Sequence, residues 1–452
     1  MRFKSTGILL IVFFALLAYV YFVEIKGKEK AEKAKELASK LIQFEKDSLT
    51  TLVLEPNGIE FKKEDGKWMI TRPIHSKTEN WVINALVNSL HDAKKERVIS
   101  SHPSSYADYG LEPAKRQIIF QHSGRTDTVY LGDKTPTGSF VFSRVGGDST
   151  VYATHTLLLT NAEKELFDFR DKTVLSFEID DIKDITLRTV RTKLRLQKED
   201  DNWYILRKNG EKILADDSKV TSMLSRVRNA KAKKFVAEEF KGGLRYGLAR
   251  PLYRLDLRTA DDSGLRQLMI GSPVDGAYYA HDASRDPIFT VDSSVVHALK
   301  VTEWDLREKR LADFYSYQID YLELHLPDST FVCEKDTTGD WILIEPVRGK
   351  AKSWKVSSVA GSASSLRMTK VVDEHPANLK KYGLEEPKYH IICKKEGETL
   401  ADIRIGKAEN DHYYAVGNLS PAVVLVKKED VEKFNISLKD LLEESEEEQS
   451  KE

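Results

Sequence analysis

Apolar and polar residues alternate over short stretches from about residue 50 onward, broken by longer segments with helical spacing. Ile59 and Phe61 alternate with Glu60 and Lys62, and Trp68 and Ile70 with Met69 and Thr71. Each run puts one apolar face on a strand. Thr51–Glu55, Ile59–Glu64 and Lys67–Pro73 therefore read as three opening strands. The last two are joined by Asp65-Gly66, residue types that accept the positive φ angles of a tight hairpin. Val82, Leu86 and Leu90 then recur at helical spacing and predict one amphipathic helix. A further strand follows, then Tyr109-Gly110-Leu111 with Pro113. Four more alternating stretches come next, at Ile118–Gln121, Asp127–Leu131, Ser139–Arg144 and Thr150–Ala153. A short helix around Asn161–Phe167 closes the unit.

The pattern occurs three times. Tyr109-Gly110-Leu111, Tyr246-Gly247-Leu248 and Tyr382-Gly383-Leu384 are each followed by a proline, Pro113, Pro251 and Pro387. Trp68, Trp203 and Trp341 precede the three corners, and Gly132, Gly271 and Gly406 follow them. Val220, Leu224 and Val227, then Val356, Val359, Ala363 and Leu366, repeat the helix face. A period of about 136 residues is the size of a small domain, well beyond the roughly 20–50 of solenoids. Junctions repeat too: Phe169–Phe177 precedes the second copy and Leu306–Phe314 the third, with Arg170 and Arg307 in matching places. Neither junction is rich in Gly, Ser or Pro, so the copies are expected to dock on one another. Glycine at each corner permits positive φ, proline fixes the chain after it, and Tyr and Leu can fill the core. The corner and the three tryptophans thus read as folding determinants.

Ahead of the repeats, Gly7–Val23 carries no charge and is just long enough as a helix to cross a hydrocarbon core. A single transmembrane anchor is expected at 7–25, after a basic start at 1–6. Residues 26–48 alternate Lys and Glu and are expected to form a charged helical stalk, where Leu37, Leu41 and Phe44 could meet a partner helix. Orientation is divided: Arg2 and Lys4 lie before the span, and Lys26, Lys28, Lys30, Lys33 and Lys35 after it. The repeats are expected at 49–180, 181–316 and 317–442, with an acidic disordered tail at 443–452.

A net charge of -1 excludes nucleic-acid binding through bulk positive charge. Motifs for phosphate loops, zinc proteases, serine hydrolases and dithiol redox chemistry are absent. No catalytic, cofactor-binding or metal-ligating residue is assigned, and no cofactor is expected. His281 with Asp282 and Asp286, and His412 beside Asp411, come nearest to a metal constellation, with fewer ligands than a closed zinc site uses. Cys333 aligns with Phe61 and Leu196, and Cys393 with Ile119 and Leu257, so both read as small core hydrophobes.

The ordered set of landmarks (Trp-x-Ile strand, helix, Tyr-Gly-Leu corner, Ile-Gly, Tyr-Tyr and Leu-Arg-Glu-Lys junction) resembles the bacterial family called domain of unknown function 4340. The resemblance covers about residues 50 to 442, and the second copy lacks the proline that follows as Pro73 and Pro346. It implies a single-anchor envelope protein of the bacterial inner membrane, N-terminus in the cytoplasm and repeats in the periplasm. It also implies partners among ABC-type permeases and their auxiliary proteins. The expected fold is α+β: a transmembrane helix followed by three repeats of mainly antiparallel strands with one main helix each. The expected function is a non-enzymatic scaffold or accessory subunit of an ABC-transporter-like complex. The alternative is a glycan- or lipid-binding protein or hydrolase with its site in a cleft between repeats.

Overall fold

The computed structural model describes residues 26–260 and 264–443, together with Phe13, Phe14, Leu17 and Tyr21. Nine strands build the first sheet: β1 (Leu49–Glu55), β2 (Ile59–Glu64), β3 (Lys67–Arg72), β4 (Ser76–Lys77), β5 (Arg97–Ser100), β6 (Arg116–His122), β7 (Arg125–Lys134), β8 (Phe140–Val145) and β9 (Val151–His155). Their spatial order is β4-β3-β2-β1-β6-β7-β8-β9-β5. Two antiparallel meanders thus join where β1 pairs with β6, and β5 is carried to the far edge beside β9. The helix Asn80–His91 makes that crossover and buries Val82, Ile83, Leu86, Val87 and Leu90. The hairpin between β2 and β3 turns at Asp65 and Gly66, both with positive φ, as their residue types predict.

The second and third sheets repeat this order strand for strand. Their long helices are Asp217–Arg228 and Ser353–Ser365. Counting from the helix caps Glu79, Asp216 and Lys352 aligns Ile83, Val220 and Val356 as the first buried position common to all three. The chain forms two compact units: one holds the first sheet together with Lys231–Phe235, and the other holds the second and third repeats.

The expected α+β class with a leading membrane helix is corrected. Strand accounts for 44% of the described residues and helix for 22%, in three nine-stranded antiparallel sheets. No helix among the described residues is long and apolar enough to cross a membrane. The expected span at 7–25 lies outside the described residues, apart from the four named above. An apolar run specifies burial without specifying what buries it, so the single-pass inner-membrane placement, with residues 1–6 cytoplasmic and the repeats periplasmic, is withdrawn with the helix. The expected acidic tail falls outside the described residues from 444 onward.

Three smaller expectations are also revised. The charged segment forms a helix over Lys26–Ser39 and stops there. Leu41 and Phe44 do not await a partner helix; both are buried in the first core, where the Leu41 amide donates to Ala93 and Phe44 packs on Phe120. The closing helix is two short ones, Leu157–Ala162 and Leu166–Phe169, separated by a capping box between Glu165 and Asp168. Cys393 faces Leu322 where Phe120 faces Leu52, so its counterpart in the first repeat is Phe120 and not Ile119. A slip of one residue would have moved it to the opposite face.

Candidate functional site

The three corners are built alike. Gly110, Gly247 and Gly383 have φ of 66°, 72° and 72°, a left-handed conformation that glycine adopts without strain. A methyl group there would lie 2.9 Å from the Asp133 backbone nitrogen, 2.7 Å from that of Ser272 and 3.2 Å from that of Lys407. The following landmark explains itself against the first: a Cβ on Gly132, Gly271 or Gly406 would overlap the carbonyl oxygen of Tyr109, Tyr246 or Tyr382. The corner and the strand that carries Gly132, Gly271 or Gly406 therefore meet backbone to backbone, each glycine against the residue that flanks the other. Each corner tyrosine packs on an aromatic ring of the strand beyond, Phe142, Tyr279 or Tyr414, with centroids 5.2, 5.0 and 5.1 Å apart. Leu111, Leu248 and Leu384 are buried. Trp68, Trp203 and Trp341 are buried as well.

The histidine constellation is used in packing. His281 and Asp282 end a strand and are buried. The His281 ring stacks on Phe240 at 4.0 Å and its Nδ1 lies 3.2 Å from the Pro287 carbonyl. Burial holds its pKa below the ordinary value despite that carbonyl and the nearby carboxylates. Asp282 accepts from the Ser284 amide and hydroxyl, closing the turn, and lies 3.5 Å from Arg285. Asp286 belongs to the same turn, while His412 pairs across its own hairpin with Glu409. No group of three or more metal-ligating side chains is found among the described residues. Cys333 and Cys393 are free thiols on the strands either side of Leu322, and burial pushes each up to about 12.

Sequence reasoning missed the densest charged cluster, which lies where the second and third repeats meet. Arg207, at the end of the Trp203 hairpin, donates to Glu211 at 3.0 Å, to Glu374 at 2.8 Å and to Glu303. Arg307, from the repeated junction, grips both oxygens of Glu374 at 2.6 and 2.9 Å. Only 4% of the Arg307 side chain is exposed and 24% of that of Glu374, so this fork is partly shielded from water. His375 reaches Glu211 at 3.1 Å. The hydrogen bonds from Arg307, joined by those from Arg207, hold the Glu374 carboxyl far below its ordinary range, at about 2, against the cost of burial. The same carboxylates raise Arg207. Burial would raise Glu308, but Arg310 and two backbone amides more than offset it. A cavity of about 180 Å³ lies beside the cluster, lined by Tyr204, Lys212, Met368 and Ser420 among others. The charges around it are spent on one another, which makes the cluster a clamp. The one signal in the sequence was Arg307 recurring as Arg170, with Glu374 recurring as Glu238.

Two tryptophans remain outside every core. Trp81 and Trp354 occupy the second position of the long helix in the first and third repeats, and are 66% and 68% exposed. Ser218 holds this place in the second repeat. Equal spacing from the corner glycines puts Trp81, Ser218 and Trp354 in one register, as the caps do, but only the fold shows that both tryptophans stay exposed. Lys164 lies 5.3 Å from the Trp81 ring and Lys355 lies 5.9 Å from that of Trp354.

A family model described as "Domain of unknown function (DUF4340)" matches the chain three times, over residues 68–214, 207–355 and 341–452. The matches begin inside the sheets, near the tryptophan hairpin, so the family unit is phased differently from the nine-stranded repeat. No curated protein and no solved structure matches the chain.

Proposed function

The chain belongs to the DUF4340 family, in three tandem copies, and from that premise we propose that it is a non-enzymatic scaffold, an accessory subunit of an ABC-transporter-like complex. The observation that carries this reading is the pair Trp81 and Trp354. A large aromatic side chain left in water at the same helix position in two repeats is costly to keep exposed, and such residues dominate the energetics of protein interfaces. The repeated landmarks support it from the other side, since glycines, tyrosines and buried tryptophans are consumed by folding. The clamp at Arg307 and Glu374 supports a fixed relation between the second and third repeats, as a scaffold requires.

The partners in this reading are an ABC-type permease and its auxiliary proteins, as the family resemblance suggests. Crosslinked affinity purification of the full chain from cells tests it. These partners should be recovered with the wild type and lost from the Trp81→Ser, Trp354→Ser double variant, with thermal unfolding unchanged. Recovery of neither partner with the wild type would remove the transporter part of the reading. Undiminished recovery with the double variant would remove the tryptophans from the interface. The alternative, a ligand site in the cleft between repeats, draws less support because the charges lining the cavity there are already paired.

A further inference from the structure

The solvent face of the second sheet carries a charge pattern that the other two sheets lack. Register defines it. Arg195, Thr186, Asp256 and Gln267 form one row across four adjacent strands. Lys193, Arg188 and Arg254 form the next row on one side, and Asp184 pairs with Arg258 on the other. Alternation puts positions 184, 186 and 188 on this face, while Ile185 and Leu187 enter the core. Five cations therefore share a concavity of about 410 Å³ with two carboxylates.

Asp256 is occupied. It accepts from Arg254 at 3.0 Å and Gln267 at 2.8 Å, and lies 3.7 Å from Arg188. These contacts pin two guanidiniums at the centre of the face. The side chains of Lys193, Arg195 and Arg258 make no ion pair or hydrogen bond with another described residue. In the first and third sheets the place of Arg188 is taken by Glu55 and His325, that of Arg195 by Glu60 and Val332, and that of Arg258 by Gln121 and Lys394. Ile119 and Ile392 stand where Asp256 does. Folding the repeat thus requires neither the cations nor the aspartate that orients them.

The geometry points to a binding site on the second sheet for a ligand carrying two or more phosphoryl groups. Arginine forks match oxyanion geometry with paired hydrogen bonds, and their charge strengthens each bond. Arg195 stands in the row anchored by Asp256 and Arg258 in the row beside it, two strands away, at least about 10 Å by strand spacing. One tetrahedral group cannot meet both, but two linked phosphoryl groups can. This site is independent of the scaffold reading, since neither exposed tryptophan contributes to it. The phosphoryl groups could belong to a soluble phosphorylated compound or to a lipid headgroup.

Calorimetric titration of the full chain with tripolyphosphate at low salt, and cosedimentation with phosphatidylcholine vesicles with or without cardiolipin, test the site and separate those sources. At least one probe should bind the wild type, and the Arg195→Ser, Arg258→Ser double variant should bind it about tenfold more weakly or worse, with unchanged thermal unfolding. Lys395→Ser, removing an exposed lysine of the third repeat, should bind as the wild type does. Binding of tripolyphosphate alone assigns a soluble ligand, and binding of cardiolipin vesicles alone assigns a headgroup. Failure of both probes, undiminished binding by the double variant, or equal loss in Lys395→Ser would overturn the proposal.

Discussion

A side chain on Gly110 would meet Asp133 and one on Gly132 the Tyr109 carbonyl, and Gly247 with Gly271 and Gly383 with Gly406 repeat this crossed contact through Ser272 and Tyr246, and through Lys407 and Tyr382. Alanine at Gly110, Gly247 or Gly383 must accept a left-handed φ and a crowded backbone, at a cost of about 1–3 kcal/mol. Alanine at Gly132, Gly271 or Gly406 must push away a tyrosine carbonyl, and about 3 kcal/mol or more is expected. Thermal unfolding of the six single variants should rank them in those two groups; equal stability in both would refute the close contact of corner and strand. The cysteines give a second test at this scale. With both thiols buried and pushed up to about 12, neither should react with a thiol-directed dye at pH 8 until the chain is unfolded, when two should react. Reaction of either thiol in the folded chain would contradict that burial. His281 and Asp282 behave as core residues of their turn, so replacing them together with Asp286 by alanine should lower the thermal unfolding temperature.

Between elements, the clamp of Arg207, Arg307 and Glu374 carries a pH signature. The folded pKa of Glu374 is depressed from 4.5 to about 2. Its contribution is therefore present above the unfolded value and is lost as pH falls through the folded one. Wild type should exceed Glu374→Gln in unfolding temperature at pH 6, and the difference should shrink between about pH 4.5 and pH 2. A difference that does not change over that window would show that the carboxylate charge is not what joins these elements. Strands, hairpin and helices were legible from period and turn chemistry, because both act within a few residues. The exposure of two helix residues was not. Corner spacing and caps alike place Trp81 and Trp354 at one position, but whether a residue there is covered depends on distant parts of the chain. The clamp was invisible for a related reason: Arg207 and Glu374 lie 167 residues apart, and nothing local marks them as partners.

At the scale of the whole chain, the first and third repeats have separate hydrophobic cores. Unfolding should then be less than all-or-none. Gly383→Ala should accelerate amide exchange in the third repeat, as in the helix Ser353–Ser365, and leave Asn80–His91 at its wild-type rate. Uniform acceleration across both helices would show that the repeats share one cooperative core. Charge also looks different at this scale. A net charge of -1 excluded bulk attraction to polyanions, yet one sheet face gathers five cations, because composition averages over surfaces that the fold keeps apart.

The sequence by itself determined the threefold repetition, the strand and turn succession within each copy, and the membership of the family. All of these are local patterns, or copies of them, and survive without any knowledge of distant contacts. It did not determine that β5 crosses to the far edge, or that the residues after the charged helix fold back into the first core. It also hid the basic face of the second sheet. There Lys193, Arg188 and Arg254 come from three strands, and only antiparallel pairing places them side by side. Tertiary structure decided these points because strand neighbours are chosen by hydrogen-bond register and core packing, which join residues whatever their separation along the chain.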